Sequence, residues 1–222
     1  MRSGIEIVVD WLQTEGKIPF KFQEETWKAI SEGRSGLVIA PTGCGKTYSV
    51  FLGSLIHFID TTGENYTKKK NNGLQLLWIT PLRALAADIA RAMEEVITGL
   101  GMPWKVAIRN GDTSTTERAR QKKQMPEILI ITPESLHLLL AQKGYPALFS
   151  SLHTIAVDEW HELLGSKRGV QVELALSRII NVQLSFSESP CSIWGISATI
   201  GNLKEAKDVL LAPRINAQET PD

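Results

Sequence analysis

A run of small and polar residues near position 45 has the types and spacing needed to bind phosphate. The run is Ala40-Pro41-Thr42-Gly43-Cys44-Gly45-Lys46-Thr47. Glycines let the backbone turn tightly, so that successive N–H groups point inward, and the lysine supplies a point charge for the outer phosphates of a nucleotide. The Thr47 hydroxyl is a suitable magnesium ligand. We therefore predict that residues 42–47 hold the phosphates of ATP, with Mg²⁺ beside them.

The segments on either side of this run fit the prediction. Residues 37–40 form an apolar run typical of a buried strand, and residues 47–52 read as the start of a helix. A helix N-terminus adds roughly half a positive charge at the phosphates. The first position of the usual pattern is Ala40 instead of glycine, which we expect to matter little because alanine is small. A chance glycine-lysine turn on the surface is the alternative, and the flanking elements disfavour it.

An acidic pair follows a second apolar run. Residues 152–157 predict a buried strand, and Asp158-Glu159 stand directly at its end. Ligands of parallel α/β sheets bind at the carboxyl ends of strands. We expect Asp158 to hold magnesium through water, Glu159 to orient or deprotonate the attacking water, and His161 to reach toward Ser197-Ala198-Thr199. The alternative is an exposed acidic strand end that binds no metal. The predicted catalytic set is Lys46, Asp158, Glu159 and His161, and the predicted metal ligands are Thr47 and Asp158.

Further segments extend the pattern along the chain. One is Phe22-Gln23, in which Gln23 lies 23 positions before Lys46. The others are Thr80 to Ala86, Gly111-Asp112-Thr113, Thr132 to Leu136 and Trp194 to Thr199. Together with the phosphate loop and Asp158 to His161, they make the chain resemble the superfamily-two helicases of the DExH-box type over about residues 20–202. The resemblance implies that Gln23 reads adenine and that Ser197 and Thr199 couple the ATP site to movement. It implies nucleic-acid contacts at Pro81, Arg83, Gly111, Asp112, Thr113, Thr132 and Pro133.

Within that superfamily the chain looks most like the ligase-associated branch of the large helicase-related group. Residues 158–169, 110–114 and 197–202 carry this narrower resemblance. It implies an ATP-driven DNA translocase of bacterial DNA repair that loads on single strands and moves from the three-prime toward the five-prime end. A DNA ligase or a nuclease is the implied partner.

Basic residues outside these motifs have plainer interpretations. Lys68-Lys69-Lys70 lie in a polar loop, and Arg118, Arg120, Lys122 and Lys123 share one predicted helix; both groups are read mostly as solvated surface. Lys167 and Arg168 are flanked by Gly165 and Gly169. For this pair, contact with DNA or another domain and plain solvation are equally favoured.

The charge and cysteine content set limits on the class of protein. Lys+Arg and Asp+Glu are 24 each, so the net charge is zero, whereas a dedicated nucleic-acid binder is usually basic. We expect weak binding of nucleic acid through a few local contacts. Two cysteines are too few for a disulfide framework and favour the cytoplasm. No apolar run approaches the ~18 residues that span a bilayer, so no membrane association is expected.

The order of predicted elements favours one α/β domain. Helices are predicted over 5–13 and 23–32, and strands alternate with helices afterwards, which indicates a mostly parallel sheet with helices on both faces. With the resemblance, this predicts a RecA-like P-loop NTPase domain over residues 1–211, including a last helix over 203–211, and a linker beginning at 212–222. The predicted strands span 36–40, 74–79, 105–109, 127–131, 152–157 and 191–196.

A motor of the resembled type needs two RecA-like lobes. The second lobe would supply an arginine finger, a group worth about 10³ to 10⁵ in rate. We therefore expect this chain to be the first lobe, to bind nucleotide weakly and to unwind nothing alone. Two alternatives stay open: the first lobe of an RNA helicase, and a nucleotide-binding regulatory module without a motor role.

Overall fold

The computed structural model describes residues 2–187 and 190–218. Its sheet has six parallel strands in the order β1-β6-β5-β2-β4-β3. Each predicted strand is present, and its ends fall within two residues of the prediction. The strands are β1 (Gly36–Ile39), β2 (Leu76–Ile79), β3 (Val106–Arg109), β4 (Ile128–Ile131), β5 (Thr154–Val157) and β6 (Ser192–Ser197).

Helices connect the strands and cover both faces of the sheet. Two 3₁₀ turns, Gly63–Thr67 and Tyr145–Phe149, lie between them. The helices are α1 (Gly4–Thr14), α2 (Lys21–Ser31), α3 (Lys46–Thr62), α4 (Arg83–Gly99), α5 (Thr115–Lys123), α6 (Pro133–Leu140), α7 (Trp160–Leu163), α8 (Lys167–Gln183) and α9 (Leu203–Gln218).

Alternate residues of the central strands enter two separate cores. In β2, Leu76 and Trp78 pack with α1 to α4, whereas Leu77 and Ile79 pack with α6 to α9. All four side chains are fully buried. Side chains of a strand point alternately to opposite faces, so a sheet covered on both faces needs the continuous apolar runs seen in the sequence.

The last helix is longer than predicted. The prediction ended the helix at 211 and placed a linker from 212, but α9 continues through Pro213 to Gln218. The guanidinium of Arg214 donates to Ser35 Oγ at 2.5 Å and to the Gly33 carbonyl at 2.9 Å, which ties this turn to the domain. The predicted helix end at 211 is therefore wrong, the linker to a second lobe stays a prediction, and residues 219–222 lie outside the described part of the chain.

Within residues 2–187 and 190–218, no helix is long and apolar enough to cross a membrane.

Candidate functional site

Three adjacent strands bring the predicted ATP residues to one edge of the sheet. The strands β1, β6 and β5 are neighbours, and their carboxyl ends lead into the phosphate loop, residues 198–199 and residues 158–161, respectively. A cavity of about 380 Å³ opens there, lined by Thr42, Lys46, Thr47, Asp158 and Glu159 among others. Residues that lie more than a hundred positions apart in sequence therefore face one space.

The phosphate loop has the backbone conformation that its glycines suggest. Gly43 and Gly45 have φ angles of 86° and 69°, in the left-handed region that glycine adopts without strain. Gly45 is also the N-cap of α3, so the helix begins at Lys46. The first N–H groups of a helix lack intrahelical partners, which leaves donors at this end for an anion.

The amine of Lys46 has no partner in the described structure. Its Nζ is buried and makes no hydrogen bond. A buried ammonium without a hydrogen-bond acceptor is costly, and Asp158 offers it a charge interaction but no hydrogen bond. The site therefore fits a phosphate group, which would supply the missing acceptor.

Gln23 lies against the phosphate loop. The side chain is buried; its amide donates to the Gly45 carbonyl at 2.8 Å and accepts from the Phe20 N–H at 2.9 Å. A Cβ at Gly45 would approach Gln23 Nε2 to 2.8 Å, so the two positions are closely fitted. In this conformation Gln23 braces the loop, and its predicted role in reading adenine stays a prediction.

Asp158 is a largely buried carboxylate held by two donors. Trp78 Nε1 donates to Oδ2 at 3.4 Å, and the Glu159 backbone N–H donates to Oδ1 at 3.0 Å. Burial and the neighbouring Glu159 carboxylate raise the pKa of Asp158 to about 6. The two donors and the charge of Lys46 act in the opposite direction, and a metal ion at the site would favour the ionised form further. Sequence reasoning missed Trp78, because nothing local links it to a residue 80 positions away.

A short chain of contacts joins Glu159 to the end of β6. Glu159 is held at φ 48°, an uncommon value for a residue with a side chain. Its Oε2 lies 3.4 Å from His161 Nδ1, which lies 2.9 Å from Ser197 Oγ. Ser197 in turn donates to the Thr199 carbonyl at 3.0 Å. The predicted approach of His161 to the 197–199 loop is therefore present, through Ser197.

The predicted nucleic-acid loops follow the other three strands. Loops 80–83, 110–113 and 132–135 stand at the carboxyl ends of β2, β3 and β4, which are adjacent in the sheet. Arg83 is exposed, and its guanidinium lies about 3 Å from the place where a Cβ on Gly111 would stand. Gly111 and Asp112 are exposed as well. These three residues form an accessible surface at that edge.

Other members of the predicted nucleic-acid set lie beneath this surface. Thr132 is 1% exposed and bonds to Ser135 Oγ at 3.2 Å, while Pro81 and Pro133 are buried. The Thr113 hydroxyl accepts from the Asn110 N–H at 2.9 Å. The buried side chains of Thr132, Pro81 and Pro133 shape the loops and Thr113 is half-buried, and nucleic-acid contact at these four positions stays a prediction.

Two arginines are bound to the loops: Arg118, interpreted mostly as solvated surface, and Arg168, for which solvation and contact with DNA or another domain were equally favoured. Arg118 donates to the carbonyls of Asn110 and Thr113 at 2.9 Å each. Arg168 forms an ion pair with Glu134 at 2.7 Å and donates to the Pro81 carbonyl at 3.0 Å. The solvated interpretation is wrong for these two residues. Their partners are backbone carbonyls or a carboxylate 34 positions away, which no local pattern reveals.

No cluster of three or more His, Cys, Asp or Glu that could hold a metal occurs among the described residues. At the ATP site the available protein ligands are the Thr47 hydroxyl and the Asp158 carboxylate. These are the oxygen ligands that Mg²⁺ prefers, and Mg²⁺ takes most of its remaining ligands from water and substrate phosphates. The donor set therefore fits a magnesium ion that arrives with a nucleotide.

Comparison with known proteins identifies helicases as relatives of this chain. The family model described as DEAD/DEAH box helicase matches residues 20–208. The chain is 36% identical over 201 residues to the Lhr helicase/probable uracil glycosylase of Mycolicibacterium smegmatis, covering 86% of this chain and 13% of that protein. It is 35% identical over 214 residues to the ATP-dependent helicase Lhr-Core of Methanocaldococcus jannaschii, covering 92% of this chain and 24% of that protein.

Solved structures agree with the sequence relatives. The Mycobacterium smegmatis helicase Lhr bound to ssDNA and AMP-PNP superposes with a TM-score of 0.79 at 33% identity, over 92% of this chain and 26% of that one. The DUF1998 helicase MrfA bound to DNA and AMPPNP gives a TM-score of 0.78 at 27% identity, over 96% and 29%. The fold is thus the predicted RecA-like one, and the chain spans less than a third of each relative compared here. The ligase-associated branch stays a prediction, because the names of these relatives do not refer to it.

Proposed function

Because this chain belongs to the DEAD/DEAH box helicase family, we propose that it is the ATP-binding first motor lobe of an ATP-dependent DNA helicase or translocase. The observation that carries the proposal is the buried, unpartnered amine of Lys46 in the cavity that also contains Asp158 and Glu159. The Lys46 amine can pair with a phosphate, and the two carboxylates lie beside it, so the pocket suits a nucleotide that carries magnesium.

Each residue of the pocket has a distinct part in the proposed reaction. The N–H groups at the start of α3 and the Lys46 amine bind the phosphates. Thr47 and Asp158 would hold Mg²⁺, which would neutralise charge on the phosphates. Glu159 orients the attacking water or takes its proton. His161 connects Glu159 to Ser197, so the state of the pocket is transmitted to the end of β6.

The proposed lobe hydrolyses ATP only together with a second lobe. Within the described residues, the cavity is lined by one cation, Lys46. A further cation supplied by another lobe would stabilise the transition state, which is the usual part of an arginine finger. We infer that this chain alone binds nucleotide and turns it over very slowly.

Single-stranded DNA is the proposed track. The exposed surface at Arg83, Gly111 and Asp112 would hold the phosphate backbone, and the DNA-bound state of two relatives compared above supports DNA. Movement from the three-prime toward the five-prime end and a role in DNA repair, with a DNA ligase or nuclease as partner, are further parts of the proposal that rest on the sequence resemblance alone.

The test of this proposal compares binding of a DNA and an RNA oligonucleotide of equal length. Fluorescence anisotropy with dT and U oligonucleotides of one length, at low salt and with AMP-PNP and Mg²⁺, measures the preference between DNA and RNA. Low salt is needed because a few phosphate contacts are easily screened. Tighter binding of dT supports the DNA motor, tighter binding of U indicates the RNA alternative, and binding of nucleotide without either indicates a regulatory module.

A further inference from the structure

One guanidinium touches two of the proposed nucleic-acid loops at once. Arg168 is the second residue of α8. Its Nε donates to Glu134 Oε1 at 2.7 Å, and its Nη2 donates to the Pro81 carbonyl at 3.0 Å and lies 3.4 Å from Glu134 Oε2. Pro81 belongs to the loop after β2 and Glu134 to the first turn of α6 after β4. Arg168 therefore bridges the ends of two neighbouring strands.

The same residue is joined to the ATP site by a compact corner. Leu163, at the end of α7, accepts from the Ser166 hydroxyl at 2.7 Å, and Ser166 Oγ caps α8 by accepting from the Gly169 N–H at 3.0 Å. A Cβ on Gly169 would come within 2.0 Å of the Leu163 carbonyl oxygen. The corner is thus packed backbone against backbone, and it connects Glu159 to Arg168 within ten residues of chain.

The ion pair itself explains little of the stability of the fold. The side chains of Arg168 and Glu134 are 39% and 42% exposed. Pairs at such positions contribute about 0 to 1 kcal/mol. Burial works to raise the pKa of Glu134, but hydrogen bonds and the Arg168 guanidinium outweigh it and leave the pKa below its usual value. The carboxylate therefore stays charged, and the bridge persists at neutral pH.

The geometry requires the shape of arginine. A planar guanidinium offers several donors in fixed directions, so it can engage a carboxylate and a carbonyl together, whereas the lysine ammonium is a compact point charge. The neighbouring Lys167 is exposed, and its side chain makes no hydrogen bond or ion pair within the described residues. Of these two adjacent cations, Arg168 thus contacts both Glu134 and Pro81, whereas Lys167 contacts neither.

We propose that Arg168 is a positioning residue that holds the Pro81 loop and the loop that leads through Thr132 into the first turn of α6 at Glu134 in fixed register with the Asp158-Glu159 corner. Through it, nucleotide bound at the corner changes the affinity of both loops for a nucleic-acid backbone, and nucleic acid changes the affinity for nucleotide by the same factor. This inference rests on the function proposed above.

The test measures that coupling directly. The dissociation constant of a fluorescent ATP analogue with Mg²⁺ is measured with and without a saturating dT oligonucleotide, for the parent chain and for Arg168→Ala, Arg168→Lys, Glu134→Gln and the control Lys167→Ala. In the parent and the control, the two constants differ by at least about fivefold, a typical coupling. In Arg168→Ala and Arg168→Lys the ratio falls to within about twofold of one, while nucleotide affinity without DNA is unchanged.

Two results overturn the proposal. One is a parental ratio that survives in Arg168→Ala or is restored fully by lysine. The other is a loss of nucleotide affinity without DNA in Arg168→Ala together with a lower melting temperature, because that describes a residue needed only for folding. Glu134→Gln separates charge from shape: it keeps an acceptor, and we expect it to retain part of the coupling that alanine at 168 removes.

If the parent binds no nucleic acid, that result counts against the proposed DNA track, and a second measurement tests the Arg168 bridge on its own. Amide hydrogen exchange is then followed at residues 82–85 and 134–137 with and without AMP-PNP and Mg²⁺. The bridge predicts that nucleotide slows exchange in both segments of the parent and in neither segment of Arg168→Ala. Unchanged exchange in the parent, or the same slowing in both proteins, overturns the bridge.

Discussion

The Nδ1 atom of His161 lies 2.9 Å from the Ser197 hydroxyl, across 36 positions of sequence. The Ser197 hydroxyl also lies 3.0 Å from the Thr199 carbonyl, to which it donates, so the contact with the imidazole is complete in the tautomer that carries its proton on Nδ1. The imidazole also faces Glu159, the residue proposed to activate water. This one side chain therefore connects the chemistry of the pocket with the end of a different strand.

Removal of that contact should separate ATP binding from its use. In a motor that contains both lobes, Ser197→Ala is expected to leave nucleotide affinity within about twofold and to lower DNA-stimulated phosphate release by about tenfold, which corresponds to one lost hydrogen bond of about 1.4 kcal/mol. Ser177→Ala, which removes a hydroxyl bonded only within α8, is the matched control. Equal phosphate release by both variants would contradict the proposed link.

Lys46→Ala should have opposite effects on binding and stability. The variant loses the amine that meets the phosphates, so nucleotide affinity should fall by at least about tenfold. It also removes a buried ammonium that has no partner, so the free energy of unfolding without nucleotide should rise by about 1 kcal/mol. Calorimetric binding and urea unfolding measure the two effects. Lys28→Ala, on an exposed position of α2, should change neither.

Glu159→Gln should bind nucleotide as the parent does and fail to hydrolyse it. The amide keeps the size of the carboxylate but is a poor base, so in a two-lobed motor turnover should fall by at least about 10². Single-turnover phosphate release with a parallel binding titration measures this. A loss of affinity as large as the loss of rate would mean that Glu159 binds ligand or metal instead of activating water.

Gly169→Ala should destabilise the corner between α7 and α8. A Cβ there would lie 2.0 Å from the Leu163 carbonyl oxygen, and backbone must move to admit it. We expect a loss of at least about 2 kcal/mol in the free energy of unfolding. Gly201→Ala is the control, because a Cβ at that position meets nothing within 4 Å. Similar stability of the two variants would show that the corner is loosely packed.

Acid should weaken the fold through a pair of stacked histidines. His57 and His153 have ring centroids 3.4 Å apart. Burial is the main cause that lowers the pKa of His153 to about 3, and the charges of His57 and Arg214 add to it. Burial also lowers the pKa of His57, although the Asp60 carboxylate opposes this. Both rings therefore stay neutral in the folded chain at pH values where they would be charged if it unfolded.

The sign of the effect follows from these lowered values. A base whose pKa is lower in the folded state stabilises above its unfolded pKa near 6.5, and this stability is lost as the pH falls toward 3. Between pH 7 and pH 4 the parent should lose on the order of 2 kcal/mol more than His153→Phe. Urea unfolding across that range measures the difference. Parallel pH profiles would contradict the buried, neutral state of His153.

The sequence was sufficient where local pattern and chemistry coincide. Apolar runs gave the six strands because a sheet covered on both faces buries every residue of its four central strands, β2, β4, β5 and β6. Glycines at 43 and 45 marked the phosphate loop because their left-handed conformations suit glycine. The predicted approach of His161 to Ser197 followed from the motifs at the ends of two strands.

Pairings between distant side chains could not be obtained in this way. Trp78 donates to Asp158, and Arg168 bridges Pro81 and Glu134, but each pair is defined only after the strands have been ordered in space. The continuation of α9 past Pro213 was missed for a related reason. Proline usually ends a helix, and here the next residue, Arg214, is held by Gly33 and Ser35 on a distant loop.

Phosphate release from ATP and Mg²⁺ at low salt is the most direct test of the central claim. The 222-residue chain is assayed alone and with single-stranded DNA, with Lys46→Ala as the blank, beside a nucleotide-binding titration. We predict that the chain binds nucleotide while its phosphate release stays at the level of the blank. DNA-stimulated release above the blank would contradict the account, because these residues would then form a complete catalytic unit without a second lobe.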